Sequence, residues 1–248
     1  MAKAALVWDK DGERFYKGGA DRGVLFVMND QGAYGEGVAW NGLTKVSQSP
    51  EGAEATEKYA DNRVYAVVTS PEKFKGTIEA FQSPPEFDVC DGEAELAPGV
   101  AITQQTRRKF ALCWRTKVGN DVKGFDFGEE IHIAYGCKAA PSSADNETLN
   151  ESPEPTTLSW EFATEQTNVA GHAPTAHLII RSSRVGDEKM KKVREALYGK
   201  DPTTQGGTDG VAPKLLTPDE IKLLGADKPI TAPSDCVPAD KAATKKPS

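Results

Sequence analysis

No stretch of this sequence stays apolar for long. The longest apolar runs, Val24–Met28 and Val64–Val68, fall far short of the roughly 20 residues that a bilayer-spanning helix needs. The opening Met1-Ala2-Lys3-Ala4-Ala5-Leu6 leads into no extended apolar core with a cleavage site, so no secretory leader is expected. Cysteine is scarce. Cys90, Cys113, Cys137 and Cys236 are four among 248 residues and form no CxxC pair, which excludes a disulfide scaffold and gives no metal-ligand spacing. Reduced thiols are expected, with Cys113 and Cys137 packed as small apolar side chains. Basic charge is also short: 30 Lys and Arg stand against 37 Asp and Glu, a net charge of −7. A chain that grips nucleic acid through its phosphates would be basic. An acidic balance is compatible with a surface past which DNA slides without sticking.

Signatures of catalysis are missing too. There is no GxxxxGK[ST] loop, no GxGxxG after a strand and no GxSxG elbow. The three histidines, His132, His172 and His177, have no zinc-protease spacing and are expected to be ordinary surface or interface residues. No catalytic residue, metal or cofactor is expected.

What the chain has is alternation. Phe110, Leu112 and Trp114 alternate with Lys109, Ala111, Cys113 and Arg115. Ile131, Ile133 and Tyr135 alternate with Glu130, His132 and Ala134, and Leu158, Trp160 and Phe162 with Thr157, Ser159 and Glu161. Successive side chains of a strand point to opposite faces, so each run reads as a half-buried strand. Further strands are expected at Ala5–Trp8, Val24–Met28, Val38–Trp40, Val64–Thr69, Thr77–Phe81 and His177–Ser182. Many short strands with Gly, Pro and Asn/Asp turns between them indicate a mainly β fold of two packed sheets, sandwich- or barrel-like. Trp40, Trp114 and Trp160 read as core residues. Two helices stand out. Met190, Val193 and Leu197 make one stripe over Asp187–Tyr198, which Gly199 can stop. Thr217 and Glu220 form a capping box, with Pro218 in the first turn of a helix reaching Leu224.

Two long connections, Val46–Arg63 and Lys138–Glu154, show no sustained periodicity and are expected to be loops. Asp201–Ala212 reads as a linker, and the Pro/Ala/Lys tail from Ala226 onward as too polar to bury much surface. Charge is segregated along the chain. Glu86, Asp88, Asp91, Glu93 and Glu95 fall together with no basic residue among them, and from Ala139 to Ile180 there is no Lys or Arg. Arg107, Arg108 and Lys109, and later Lys191 and Arg194, balance them. The acidic cluster reads either as a solvated loop or, with Glu79, as an acidic lining or interface. In a self-assembling subunit such an acidic edge would meet the basic edge of the next copy.

A resemblance extends this reading. The run Gly37-Val38-Ala39-Trp40-Asn41-Gly42-Leu43-Thr44, followed by Ser49-Pro50-Glu51-Gly52-Ala53-Glu54-Ala55-Thr56 and Tyr59-Ala60-Asp61-Asn62, resembles the major tail proteins of long-tailed, non-contractile bacteriophages. It continues through Gly76–Phe81, Pro85-Glu86-Phe87, Cys90-Asp91-Gly92, Ala97-Pro98-Gly99, Phe110–Thr116, Gly119-Asn120-Asp121, Ile133–Gly136, Ser152-Pro153-Glu154, Ser159-Trp160-Glu161 and Ala196–Gly199. The motifs are individually weak, but they occur in order over residues 5–200. The resemblance implies two packed sheets with a flanking helix, hexameric rings stacked into a tube, and a channel with an acidic lumen through which double-stranded DNA passes without specific binding. It implies that the long segment carrying Ser49, Pro50, Glu51, Glu54, Glu57, Tyr59 and Asp61 reaches between subunits or rings. Implied partners are further copies of the chain and the tail-tip, tape-measure and tail-terminator proteins, with no membrane. The location is the virion tail, assembled in the host bacterial cytoplasm. Residues 1–200 would form the tube domain and 201–248 an extension that departs from the family pattern. A secretion-system tube protein and a carbohydrate-binding β-sandwich using the acidic cluster are the alternatives.

Overall fold

The alternating runs become strands because each offers one apolar row to a core. In chain order they are β1 (Phe15–Val27), β2 (Val38–Trp40), β3 (Leu43–Gln48), β4 (Ala55–Ala60), β5 (Arg63–Thr69), β6 (Lys75–Ala80), β7 (Ala94–Ala97), β8 (Val100–Ile102), β9 (Phe110–Asn120), β10 (Gly124–Ala139), β11 (Leu158–Thr164), β12 (Thr167–Val169), β13 (His172–Thr175) and β14 (His177–Arg181). The helices are α1 (Asp88–Asp91), preceded by a 3-10 turn at Pro85–Phe87, then α2 (Ser182–Val185), α3 (Asp187–Tyr198) and α4 (Pro218–Leu223). This computed structural model describes residues 5–142, 148, 155–203 and 207–224. The tail from Ala226, Cys236 and the Ser152-Pro153-Glu154 motif lie outside the described residues, as does much of the 138–154 connection. Among the described residues the fold is mainly β, with several antiparallel sheets, few helices and no closed barrel.

Eight strands form the main sheet in the order β2-β1-β9-β10-β11-β6-β3, with β14 branching from β10. The branch follows from the length of β10. Glu130–Ala134 pairs with His177–Arg181 of β14, whereas Cys137–Ala139 pairs with Phe162–Thr164 of β11. Between the two sections the ladder shifts register around Gly136, whose φ is +58°. A Cβ there would sit 2.7 Å from the Glu165 carbonyl oxygen, so the bulge admits only glycine without displacement.

Both faces of the sheet are covered. One face packs Leu25, Trp40, Ile78, Phe87, Phe110, Leu112, Trp114, Trp160 and Phe162 together. The other packs Val24, Phe26, Cys113, Ile131, Ile133 and Tyr135 under Met190, Val193 and Leu197 of α3. Each fully buried large side chain contributes about 1.5–3 kcal/mol. The expected half-buried character of Phe110–Trp114 is therefore corrected. All five residues are buried, Ala111 and Cys113 on the α3 side and the larger three on the other. Trp40, Trp114 and Trp160 are core residues, as read from the sequence.

The helix stripe, the Gly199 stop and the Thr217 cap hold. Gly199 ends α3 at φ +79°, and Thr217 caps α4 with Glu220 returning the bond to the Thr217 amide at 2.8 Å. Leu215, Leu216 and Ile221 join the α3-side core, and Tyr135 Oη donates to the Leu216 carbonyl at 2.8 Å. The chain also bridges Lys200 to Val211. Ala5–Trp8 forms no strand, a second correction. The chain there is coil, with Leu6, Val7 and Trp8 exposed. Its neighbours Gly12 and Arg14 are tied to Asp121, and no strand pairs with residues 5–8.

Candidate assembly surface

Sequence and ladder together build one long hairpin from Leu43 to Ala80. Its inner section, β3 with β6, belongs to the main sheet. Beyond it Glu51 bridges Lys73, and the outer section pairs Ala55–Ala60 with Arg63–Thr69. Asp61 and Asn62 close the tip with φ of 51° and 58°, the two left-handed positions of a type I′ turn. The segment Val46–Arg63, expected as a loop, is thus a regular arm. Neither face of β4 or β5 is buried, so no in–out alternation marked it. The available signal was Asp-Asn between Tyr59-Ala60 and the β-branched run starting at Val64. Where the arm leaves the sheet, Gly52 and Ala53 adopt φ of +90° and +55°. The elbow is held by the Glu51–Lys75 ion pair at 2.6 Å, by Ser49 N–H donating to the Lys75 carbonyl at 2.8 Å, and by Ser70 N–H donating to the Glu54 carbonyl at 3.1 Å.

The arm carries a large apolar load for a structure with no core. Tyr59, Val64, Tyr65, Val67 and Val68 are all exposed, Tyr65 by 73%. A two-stranded ribbon is only marginally stable alone in water, and contiguous exposed apolar patches mark interaction sites. A second hairpin, β7–β8, exposes Leu96, Val100 and Ile102. Two edges of the main sheet are also open. Among the described residues β14 has a ladder partner only in β10. Phe15–Asp21 of β1 is matched only by β9, since β2 reaches only Gly23–Leu25. An unpaired edge presents a row of amides and carbonyls to another strand.

The charged candidates divide into those occupied within the chain and those facing solvent. Arg107 is structural. It pairs with Asp91 at 3.0 Å and donates to the Ala140 carbonyl at 3.1 Å. Arg108 pairs with Asp30 at 2.8 Å, Lys109 with Glu165 at 2.6 Å and Arg194 with Glu129 at 2.6 Å. Lys191 is exposed on α3 with no ion pair among the described residues. On the acidic side, Glu79 pairs with Lys45 at 2.7 Å, and Asp91 also accepts from Trp160 Nε1 at 2.9 Å. Glu86 and Asp88 are exposed, Glu93 is half-buried, and Glu95 accepts from the Gly99 amide at 3.2 Å in the β7–β8 turn. Burial and then the nearby Asp91 and Glu86 raise the Asp88 carboxyl above its usual range. The acidic cluster is not a plain solvated loop. Residues 85–91 are helical and anchored by Phe87 and Cys90 in the core, where burial pushes the Cys90 thiol up to about 12. Ser49 and Pro50 lie at the arm root, and Glu54, Glu57 and Asp61 are exposed along it. Tyr59 donates its hydroxyl to the Glu57 carboxylate.

Sequence reading missed a polar network across β1, β9, β10 and α3. Arg115 binds Asp21 through two bonds of 2.7 and 2.6 Å and Glu129 at 3.0 Å. Glu130, nearly buried, accepts from Lys17 at 2.7 Å and Arg181 at 3.0 Å. His132, expected at the surface, is 5% exposed and hydrogen-bonds His177 at 3.2 Å. Its place opposite Trp114 in the β9–β10 register accounts for this, since the indole and imidazole lie parallel with centroids 5.0 Å apart. Long-range register brings these groups together, and no local spacing signals it. No cluster of His, Cys, Asp and Glu suited to a metal ion occurs among the described residues, and no helix there is long and apolar enough to cross a membrane.

No family model matches this sequence, and no curated protein matches it. Among solved structures, it is similar to a chain of the six-fold symmetrised cryo-EM structure of the anti-feeding prophage baseplate. That likeness has 9% identity and a TM-score of 0.34, and covers 73% of this chain and 97% of the other. A likeness of this strength fixes neither a family nor a function.

Proposed function

We propose that the chain is a non-enzymatic structural subunit of a phage-type tail tube, repeated in rings by joining copies of itself edge to edge. The observation that carries this reading is the β4–β5 arm. It extends beyond the core, buries neither face and exposes five large apolar side chains, which is the chemistry of a segment completed by another molecule. The open edges at Phe15–Asp21 and β14 lie on opposite sides of the β1-β9-β10-β14 section. Antiparallel or parallel pairing between those two edges is heterologous and closes a ring when the rotation allows. Six copies per ring, an acidic channel passing double-stranded DNA, and neighbours such as tail-tip, tape-measure and tail-terminator proteins follow from the resemblance of residues 5–200 to major tail proteins. The virion tail is then the location. The packing of Leu215, Leu216 and Ile221 on the sheet supports an extension anchored on the tube domain through α4.

The carbohydrate-binding alternative needs a presented carboxylate pair in the acidic cluster. Asp91 is already held by Arg107 and Trp160, which disfavours it. Negative-stain microscopy of the purified protein tests the reading. Rings or tubes are expected for the full chain. Replacing residues 54–70 by a short Gly/Ser turn should leave a folded body that forms no tubes. A monomer at all concentrations, with sugar affinity lost on Asp91 or Glu93 substitution, would overturn it.

A further inference from the structure

The root of the arm is held to the main sheet by aromatic and imidazole rings. Phe74, the residue just before β6, stacks on His177 with centroids 4.4 Å apart and planes 14° from parallel. His177 lies parallel to His132, at 7°, and to Trp114, at 4°. The two imidazoles are joined Nδ1 to Nε2 at 3.2 Å, and the far nitrogen of His132 meets Thr116 Oγ1 at 3.1 Å. A hydrogen bond between two ring nitrogens requires one N–H and one lone pair, so the pair as built holds at least one neutral imidazole. Phe74 also accepts from Thr164 Oγ1 at 2.6 Å, which fastens the same root to β11.

We propose that the His132–His177 pair is an acid-sensitive clasp that keeps the arm root seated on the main sheet and releases it when the imidazoles take up protons. The surroundings make protonation costly, with Glu130 alone attracting the proton. From β10, Glu130 approaches His132 Nε2 at 3.8 Å, but it already carries Lys17 of β1 and Arg181 of β14. Its charge is therefore spent on two cations before a third arrives. From β9 the pair meets only Trp114 and the Thr116 hydroxyl, and from the arm root Phe74. Glu72 and Gln166 line the groove beside His177, a space of about 540 Å³ with Pro71, Ala173 and Pro174 on its walls. That groove gives water and protons access to His177 while His132 stays covered. Protonation of both rings would remove the shared bond and set two cations against each other in a site lined by Trp114 and Phe74. Burial holds both imidazoles well below the ordinary histidine range, His132 and His177 each at about 4. Histidines depressed in the closed state favour the neutral, closed form above the ordinary range. They favour opening as pH falls from there towards 4.

This inference stands apart from the tube reading, because it concerns the single folded chain. The test is amide hydrogen exchange of the full chain, corrected for the intrinsic effect of pH. Between pH 6.5 and 4.5, exchange at residues 72–75 should accelerate at least tenfold while the centre of β9 stays protected. His177→Phe keeps a ring between Trp114 and Phe74 but abolishes the pair, and should lose the acceleration. His172→Asn, at an exposed residue, should keep it. Unchanged protection at the root in a still-folded wild-type chain, or the same acid response in His177→Phe, would overturn the proposal. Should His177→Phe not fold, NMR of the wild-type imidazoles decides. Titration of His132 and His177 in step with the root amides supports the clasp. Titration with the root unmoved overturns it.

Discussion

Two glycines meet the same nominal obstacle and should respond in opposite ways. A Cβ at Gly52 would lie 2.5 Å from the Pro71 carbonyl oxygen, and one at Gly76 would lie 2.5 Å from the Ser47 carbonyl oxygen. Gly52 carries the further penalty of φ +90°, which costs a non-glycine residue about 1–3 kcal/mol. By backbone strain alone Gly52→Ala is the worse substitution. The surroundings reverse the order. The elbow around Gly52 is closed by a few exposed backbone bonds and one ion pair, so it can open without exposing core, and the loss of global stability is capped at the small free energy of that local closure. Gly76 is buried between β3 and β11, with Phe162 only 2.6 Å from the same added Cβ. Strain there displaces a core ring, at about 2–3 kcal/mol for an overpacked site, or roughly 5–10 °C in melting temperature for a chain of this size. Gly52→Ala should therefore melt within about 2 °C of the wild type yet fail to form tubes, because the arm is misdirected. Gly76→Ala should melt far lower. Thermal denaturation followed by negative-stain microscopy of both variants checks this. Equal melting losses, or intact tubes from Gly52→Ala, would refute the separation of arm from body.

Arg115→Leu should destabilise the body by about 2–3 kcal/mol in urea titration. It strands Glu129 in a nearly buried position, and the result falls below the full cost of breaking a buried pair because Arg194 still holds Glu129 and Asp21 is partly solvated. Double substitution Arg115→Leu with Asp21→Asn should lose less than the sum of the two. Thr217→Ala removes the hydroxyl that accepts from the Glu220 amide, leaves the Thr217 amide bonded to the Glu220 carboxylate, and should cost about 1 kcal/mol, read as faster amide exchange at residues 219–224.

The body of this fold was legible because its residues report their own burial. Met190, Val193 and Leu197 mark the α3 face at helical spacing, Trp160 and Phe162 mark a strand, and Thr217 with Glu220 marks a helix start. What was not legible has a common cause. The β4–β5 arm has no inside, so the in–out pattern from which strands are read is absent there. Phe110–Trp114 has two insides, so alternation suggested a wet face that the structure fills with α3. His132 and Glu130 read as the polar side of a strand, because their partners His177, Lys17 and Arg181 are brought beside them only by register between distant strands.

The same distinction changes how attraction between copies should be reasoned. The basic residues Arg107, Arg108, Lys109 and Arg194 looked available as a partner for the acidic cluster, but each is already paired within its own chain. Their charge cannot be counted a second time at an interface. In an assembly of copies the remaining electrostatic partners are exposed lysines such as Lys191 and carboxylates such as Glu86 and Asp88, and surface pairs of this kind contribute about 0–1 kcal/mol each and fade with salt. Tyr59, Val64, Tyr65, Val67 and Val68 offer about 25 cal/mol for every Å² they remove from water, a contribution that salt does not screen. Apolar burial by the arm and backbone pairing at the open edges must then supply most of the cohesion, with charge setting register and orientation. Tubes that form as well at high ionic strength as at low would follow from that balance, whereas tubes that dissolve as salt rises would return the argument to the charged residues.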